Sequence, residues 1–193
     1  MTVPDRPRRR FACRALALPL LLAGLGAPVA AVAQAAPASV LERRVKAAFL
    51  YKFLGYAEFP PQAFPDATAP LVIGVVGADE MAAELGRTVA GRHVAGRPIT
   101  VRALREQDLE KPVHLLFVAG GDEARVARLL RGAGAMLTVT ECDDGLGLGS
   151  VINFTIVDER VRFDVSVDAA EKKNVKLSSR LLTVANRVQK GAS

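Results

Sequence analysis

Cysteine, histidine and recognisable catalytic spacings are scarce in this 193-residue chain, which contains two cysteines and two histidines. It has no H-E-x-x-H, G-x-S-x-G or C-x-x-C, the patterns that place a zinc ion, an exposed nucleophilic serine or a redox dithiol. Metalloprotease, α/β-hydrolase and thiol-redox chemistry therefore lack their usual signatures. No catalytic residue, metal site or cofactor is expected. His93 and His114 have no motif around them, so a hydrolase reading would have to rest on these two alone. His114 lies in an apolar run, where a hydrogen-bonded structural histidine is the expected role. After residue 33 no hydrophobic run is long enough to cross a bilayer, and the expected product is soluble.

The one long apolar run lies at the start. Arg6, Arg8, Arg9, Arg10 and Arg14 lead into Ala15 to Ala33, and Ala31-Val32-Ala33 supplies small residues two positions apart. Residues 1–33 read as a cleavable secretory signal peptide with cleavage before Gln34. Pro19 and Pro28 argue against a membrane anchor, because a spanning helix needs about 20 apolar residues without breakers. Arg8-Arg9-Arg10-Phe11 resembles a twin-arginine signal only loosely, which leaves the export route open.

Removing the leader changes both charge and thiol content. The full chain has 26 basic and 20 acidic residues, and the leader holds five arginines and Asp5, leaving 21 against 19. No basic block interleaved with aromatics remains, so nucleic acid is not an expected partner. Cys13 leaves with the leader, and Cys142 has no internal partner. It reads either as a buried inert thiol or as half of an intermolecular disulfide. Its acidic neighbours Glu141, Asp143 and Asp144 would raise its pKa and slow its chemistry.

The remaining 160 or so residues suit a single domain, here residues 40–189, after an Ala/Pro spacer at 34–39 and before a disordered tail at 190–193. From Val40, the stripe Leu41, Val45, Ala48, Phe49, Phe53 and Tyr56 predicts an amphipathic helix that stops at Phe59-Pro60-Pro61. Pro70 to Gly77 reads as a strand buried on both faces. A helix capped by Asp79, with Met81, Leu85 and Val89, follows it. Further strands are predicted at Ile99 to Leu104, Val113 to Val118 and Met136 to Thr140, with a helix from Glu123 to Arg131 capped by Asp122. Val151 to Val157 and Val161 to Val167 form a predicted hairpin across Asp158-Glu159-Arg160, the second strand near a sheet edge. A last helix is predicted from Lys176 to Val188. The fold class is α/β: a single layered domain, its mostly parallel mixed sheet flanked by helices, with a C-terminal antiparallel hairpin plus helix.

The remaining motifs have plain explanations. Gly74 and Gly77 lack the G-x-G-x-x-G spacing of a dinucleotide turn. The glycines from Gly145 to Gly149 precede a strand, whereas a phosphate cradle needs a helix N-terminus, so they read as a turn. Ser178 and Ser179 read as first-turn helix residues, and Asp164, Asp168 and Glu171 as solvated faces or caps.

Seven segments in order carry a resemblance. They are Val45-Lys46-Ala47-Ala48-Phe49-Leu50-Tyr51-Lys52-Phe53 closing at Glu58-Phe59-Pro60, Ile73 to Gly77, Gly96-Arg97-Pro98-Ile99, His114 to Val118, Ile152-Asn153-Phe154, Val161 to Val165, and Leu177 to Leu182. Together they resemble the YfiR-like family of periplasmic repressors, over roughly residues 41 to 188. The resemblance implies a periplasmic protein that represses a membrane-bound diguanylate cyclase by contacting that enzyme's periplasmic sensor region, lowering cyclic-di-GMP and biofilm formation. It also implies a homodimer. Family members often join a cysteine in the first core strand to one just before the histidine-bearing strand, positions filled here by Gly74 and Val113. Cys142 corresponds to half of a second family disulfide whose partner is missing. Tyr51, Tyr56 and Phe59 are the candidate partner-binding residues, because aromatics are enriched at binding hot spots; the alternative is that they are core. A second functional reading is a periplasmic small-molecule sensor or binding protein with a cleft at the strand ends.

Overall fold

The computed structural model describes residues 36–134 and 136–191, so the predicted signal peptide at 1–33 and the last two residues lie outside the described residues. Helix α1 spans Ala36–Tyr56, starting four residues before the predicted start at Val40. Alanines favour this extension, and Pro37 is tolerated in a first turn, where its missing N–H costs nothing. The helix yields at Tyr56 to a short strand, β1 (Ala57–Glu58), before the prolines are reached. Its buried face is rotated from the predicted stripe. Lys46, Ala47, Leu50, Phe53 and Leu54 are buried, whereas Leu41 is 63% exposed and Ala48 is also exposed.

The sheet begins with β2 (Leu71–Val76), buried at all six positions. Helix α2 (Asp79–Val89) buries Met81, Leu85 and Val89, as its spacing predicts. Ala78 and not Asp79 is the N-cap; Asp79 is the first helical residue, where its charge complements the helix dipole. Strands β3 (His93–Val94) and β4 (Arg97–Leu104) form a tight hairpin. Then come β5 (Leu115–Val118), α3 (Glu123–Gly132) and β6 (Leu137–Thr140). Asp122 caps α3 as predicted, accepting a hydrogen bond from the Arg125 N–H.

The predicted hairpin is β7 (Ile152–Val157) with β8 (Arg160–Ser166). Its turn residues Asp158 and Glu159 have φ of 48° and 59°, the left-handed pair of a type I′ turn. After a short helix α4 (Val167–Lys172), the predicted last helix is replaced by three elements: β9 (Lys176–Leu177), α5 (Ser179–Val184) and β10 (Arg187–Gln189). The cause is tertiary. The Ser178 N–H donates to the Tyr56 carbonyl and the Asn186 N–H to that of Phe163, so both ends of the segment join strands and only one short helical stretch survives between them. Of the predicted helical stripe, Leu181 is buried and Val184 is 60% exposed.

The eight strands of the main sheet lie in the order β10-β8-β7-β6-β5-β2-β4-β3. Strands β4, β2, β5, β6 and β7 are mutually parallel, and their chain order within that run is 2-1-3-4-5. Alternation decides the layering. Leu71, Ile73, Val75, Leu115 and Phe117 join the core with α1 and α2, while Val72, Val76, Leu116 and Val118 join one built on Val126 and Leu129 of α3. Apolar runs without polar alternation fit a sheet covered on both faces. The predicted edge strand β8 is itself covered, because β10 pairs with it in parallel. Asp164 of β8, expected to be solvated or a cap, is 6% exposed; it accepts from Asn186 Nδ2 at 2.8 Å and pairs with Arg187 at 3.1 Å.

Candidate functional site

The parallel strands end together in a polar crevice. Ala78 follows β2, Gly120 follows β5 and Glu141 follows β6, and the first half of α1 lies over all three. Lys46, 8% exposed, lies 2.7 Å from Glu141 Oε2 and 2.5 Å from Glu42 Oε1. The other Glu141 oxygen accepts the Gly120 N–H at 2.9 Å. Arg43 pairs with Glu80 at the start of α2. Burial, the strongest influence on Lys46, pulls its pKa down, but the hydrogen bonds and charges of Glu141 and Glu42 outweigh it and hold the ammonium above its ordinary value. A cavity of about 410 Å³ opens here, with Phe117 at its floor and Ser39, Lys46, Ala78 and Glu80 on its walls. In sheets of this strand order, ligands bind outside the carboxyl ends where the order reverses, here between β2 and β5. Glu141 already fills the Gly120 amide, so the crevice carries its own anion.

Cys142 lies beyond the same strand end, 2% exposed and free. Burial holds its thiol above the ordinary value, and Glu123, Asp143 and Asp144 add to the rise. A bridge to a second chain would require this thiol to be uncovered. Asn153 ties the turn together, donating to the Cys142 carbonyl at 2.9 Å and accepting from Thr140 Oγ1 at 2.7 Å. A Cβ at Gly145 would lie 2.2 Å from both the Asn153 and Thr140 oxygens, so glycine is required there by close approach.

A second concavity is apolar. Leu41, Val45 and Phe49 of α1 face Ile156 and Val161 of the hairpin across a groove of about 440 Å³. Leu41 is 63%, Ile156 53% and Val157 36% exposed, and charged Glu42, Glu159 and Arg160 rim the groove. Clustered exposed apolar side chains with a polar rim mark interaction surfaces. Sequence periodicity had assigned Leu41 and Val45 to the core, and the signal that could have corrected this is the charged run Glu42-Arg43-Arg44, which narrows the apolar face.

The three aromatic candidates are not gathered at either place. Tyr51 is half-buried against the main core with the Arg92 guanidinium 5.1 Å from its ring centre. Tyr56 is half-buried where α1 ends. Phe59 lies at the opposite, amino-terminal end of the parallel strands, edge-on to Phe64 and His114 at 6.5 and 5.5 Å. His114 is hydrogen-bonded on both sides, accepting the Val72 N–H at Nδ1 and meeting the Ala63 carbonyl at Nε2. His93 is exposed in β3. Ser178 caps α5 through its hydroxyl. Among the described residues, no group of three or more His, Cys, Asp or Glu is placed to hold a metal ion, and no helix is long and apolar enough to cross a membrane.

Comparison with known proteins adds a family. Residues 43–186 match the model described as YfiR/HmsC-like, DUF4154. No curated protein sequence matches the chain. Among solved structures, the chain is similar to a conserved domain protein from Vibrio cholerae O1 biovar eltor strain N16961, with a TM-score of 0.52 and 9% identity over 76% of this chain and 60% of that one. At that identity the likeness is one of fold, and the matched part spans 60% of the Vibrio chain's length.

Proposed function

This chain belongs to the YfiR/HmsC-like family, and on that premise we propose that it is a periplasmic, non-catalytic repressor of a membrane-bound diguanylate cyclase. It binds the periplasmic sensor region of that enzyme and lowers cyclic-di-GMP and biofilm formation. The observation that carries the reading is the family match from Arg43 to Asn186, which runs from α1 to the residue that leads into β10. The signal-peptide pattern of residues 1–33 supports export. The groove between α1 and the β7–β8 hairpin supports recognition of a protein, and the sensor region is its proposed occupant; Tyr51, Tyr56 and Phe59 lie outside the groove and are proposed as separate, lesser contacts with the same partner.

The test uses the purified mature protein and the periplasmic domain of a diguanylate cyclase from the same organism. Binding is expected, and Leu41→Asp with Ile156→Asp weakens it by about tenfold or more without altering thermal unfolding. Deleting the gene raises cyclic-di-GMP. No binding to any such domain, with unchanged cyclic-di-GMP on deletion, would overturn the reading.

A second reading is favoured by one observation, the cavity at the carboxyl ends of β2 and β5. It makes the protein a sensor of a small periplasmic molecule, alone or alongside repression. A thermal-shift screen with amino acids and nucleotides is expected to raise the unfolding temperature with one class of compound. No shift with any compound rejects it.

A further inference from the structure

Strand β4 is long, and only one of its edges is filled. Ile99 to Leu104 pair residue for residue with Leu71 to Val76 of β2. On the other side, β3 pairs with Arg97 and Pro98 only. Among the described residues, no further strand pairs with positions 99–104 on that side, and no turn or loop backbone hydrogen bond reaches them. An edge left open over six residues presents a row of backbone donors and acceptors to any extended chain.

The side chains along this edge restrict what can pair there. Ile99 and Val101 are half-buried on the face shared with α2, whereas Thr100 and Arg102 are exposed on the other. Arg102 makes no ion pair or hydrogen bond among the described residues, and Arg105 just beyond the strand is 81% exposed. The neighbouring acids are already engaged: Glu84 with Arg87, Glu106 with Arg125 and Arg128, and Asp108 with Lys111 and Arg105. An antiparallel second copy of β4 centred on Arg102 sets Arg102 against itself. Like charges directly opposite are destabilising. The complement is a strand with carboxylates facing Thr100 and Arg102, and β-branched residues facing Ile99 and Val101.

We propose that the outer edge of β4, from Ile99 to Leu104, is a docking site for an extended acidic segment of a partner protein, which adds to the sheet as a further strand beside β3. Main-chain hydrogen bonds supply the affinity, and the alternating pockets supply the choice of sequence. This site is separate from the groove beside α1 and stands whether or not the partner there is a cyclase.

The probe is a synthetic octapeptide of alternating valine and glutamate, with a valine–lysine octapeptide as control, titrated into the purified protein at low salt. Binding of the acidic peptide alone is expected, together with slowed amide exchange at residues 99–104. Arg102→Glu, on an exposed site where the fold is checked by circular dichroism, weakens binding by about fivefold or more, since it replaces an attraction with a repulsion. Three results would overturn the proposal: no binding of the acidic peptide at millimolar concentration, equal binding of the basic one, or binding that leaves exchange at 99–104 unchanged. Protection of 99–104 that rises with protein concentration in the absence of peptide would make a second copy the occupant, and would also overturn it.

Discussion

The Lys46 ammonium of α1 lies 2.7 Å from the Glu141 carboxylate beyond β6, across 95 positions of sequence. That contact joins the helix covering the crevice to the strand ends beneath it. Because Glu141 also accepts the Gly120 N–H, one carboxylate fixes α1, β5 and β6 relative to each other.

Glu141→Gln keeps the shape and removes the charge, and is expected to cost about 1–2 kcal/mol in urea unfolding, the range of a partly buried charged hydrogen bond. Lys46→Met costs less, because it removes the desolvation of the ammonium along with the pair. The Lys46 pKa is raised in the fold, so its contribution is complete below the unfolded-state value and is lost as pH rises through the folded one. The difference between wild type and Lys46→Met therefore shrinks above about pH 10.5, the ordinary lysine value. Equal losses for the two variants would contradict this assignment.

His114 titrates in the opposite sense. Burial foremost, with the nearby Arg97 charge, lowers its pKa against the raising effect of the Ala63 carbonyl. Protonation removes the acceptor for the Val72 N–H. Below the ordinary histidine value of 6.5, the unfolded chain takes up a proton that the folded one resists, so stability falls as pH drops through that window. His114→Leu is expected to lower stability by about 1–3 kcal/mol at pH 7.5, through the buried Val72 N–H it leaves unpaired, and to flatten the slope between pH 7 and 5. Thermal unfolding at stepped pH tests both, and an unchanged slope in the variant would refute the role given to His114.

At the tip of the β7–β8 hairpin, a type I′ turn is built from Asp158 and Glu159. The second of these positions strongly prefers glycine. Glu159→Gly is expected to raise stability by about 0.5–1 kcal/mol, because it relieves a left-handed side-chain conformation at φ 59°. A chemical denaturation curve shifted to lower midpoint would show that the glutamate contributes something the turn geometry does not reveal.

Gly74 and Val113 occupy the positions where the family resemblance places paired cysteines, and they are neighbours in space. A Cβ at Gly74 would lie 3.3 Å from Val113 Cγ1, 3.2 Å from Leu116 Cδ1 and 2.7 Å from Leu104 Cδ1. In protein lacking residues 1–33 and held under oxidising conditions, Gly74→Cys with Val113→Cys is expected to form a disulfide, once Leu104 rotates aside. Thiol titration of the unfolded protein should then find only Cys142. Three titratable thiols would mean that the strands do not admit the bridge.

Those elements whose pattern is local were legible in the sequence. The apolar runs of β2 and β5, the Asp122 cap and the β7–β8 hairpin each follow from a few adjacent residues. The C-terminal segment was misread because Leu177, Leu181, Val184 and Val188 have helical spacing, while the choice between helix and strand there is made by distant partners, the carbonyls of Tyr56 and Phe163. The same holds for Asp164, which looks like a solvated strand residue until Asn186 and Arg187 return to it. The crevice was harder still. Lys46 sits in a charged stretch of helix, and only folding brings it to Glu141. His114, by contrast, was readable as structural from its apolar surroundings alone.

The two edges of the sheet have a further consequence. Arg187 and Lys190 flank the β10 edge, and Arg102 and Arg105 the β4 edge, so both borders are positively charged. Arg187 and Arg105 are already paired with Asp164 and Asp108, so copies stacking border to border would bring together the remaining cations, Arg102 and Lys190. Open strands normally invite fibril growth. Like charge at the two borders is expected to oppose such stacking, so crowding alone is not expected to drive the protein into cross-β fibres.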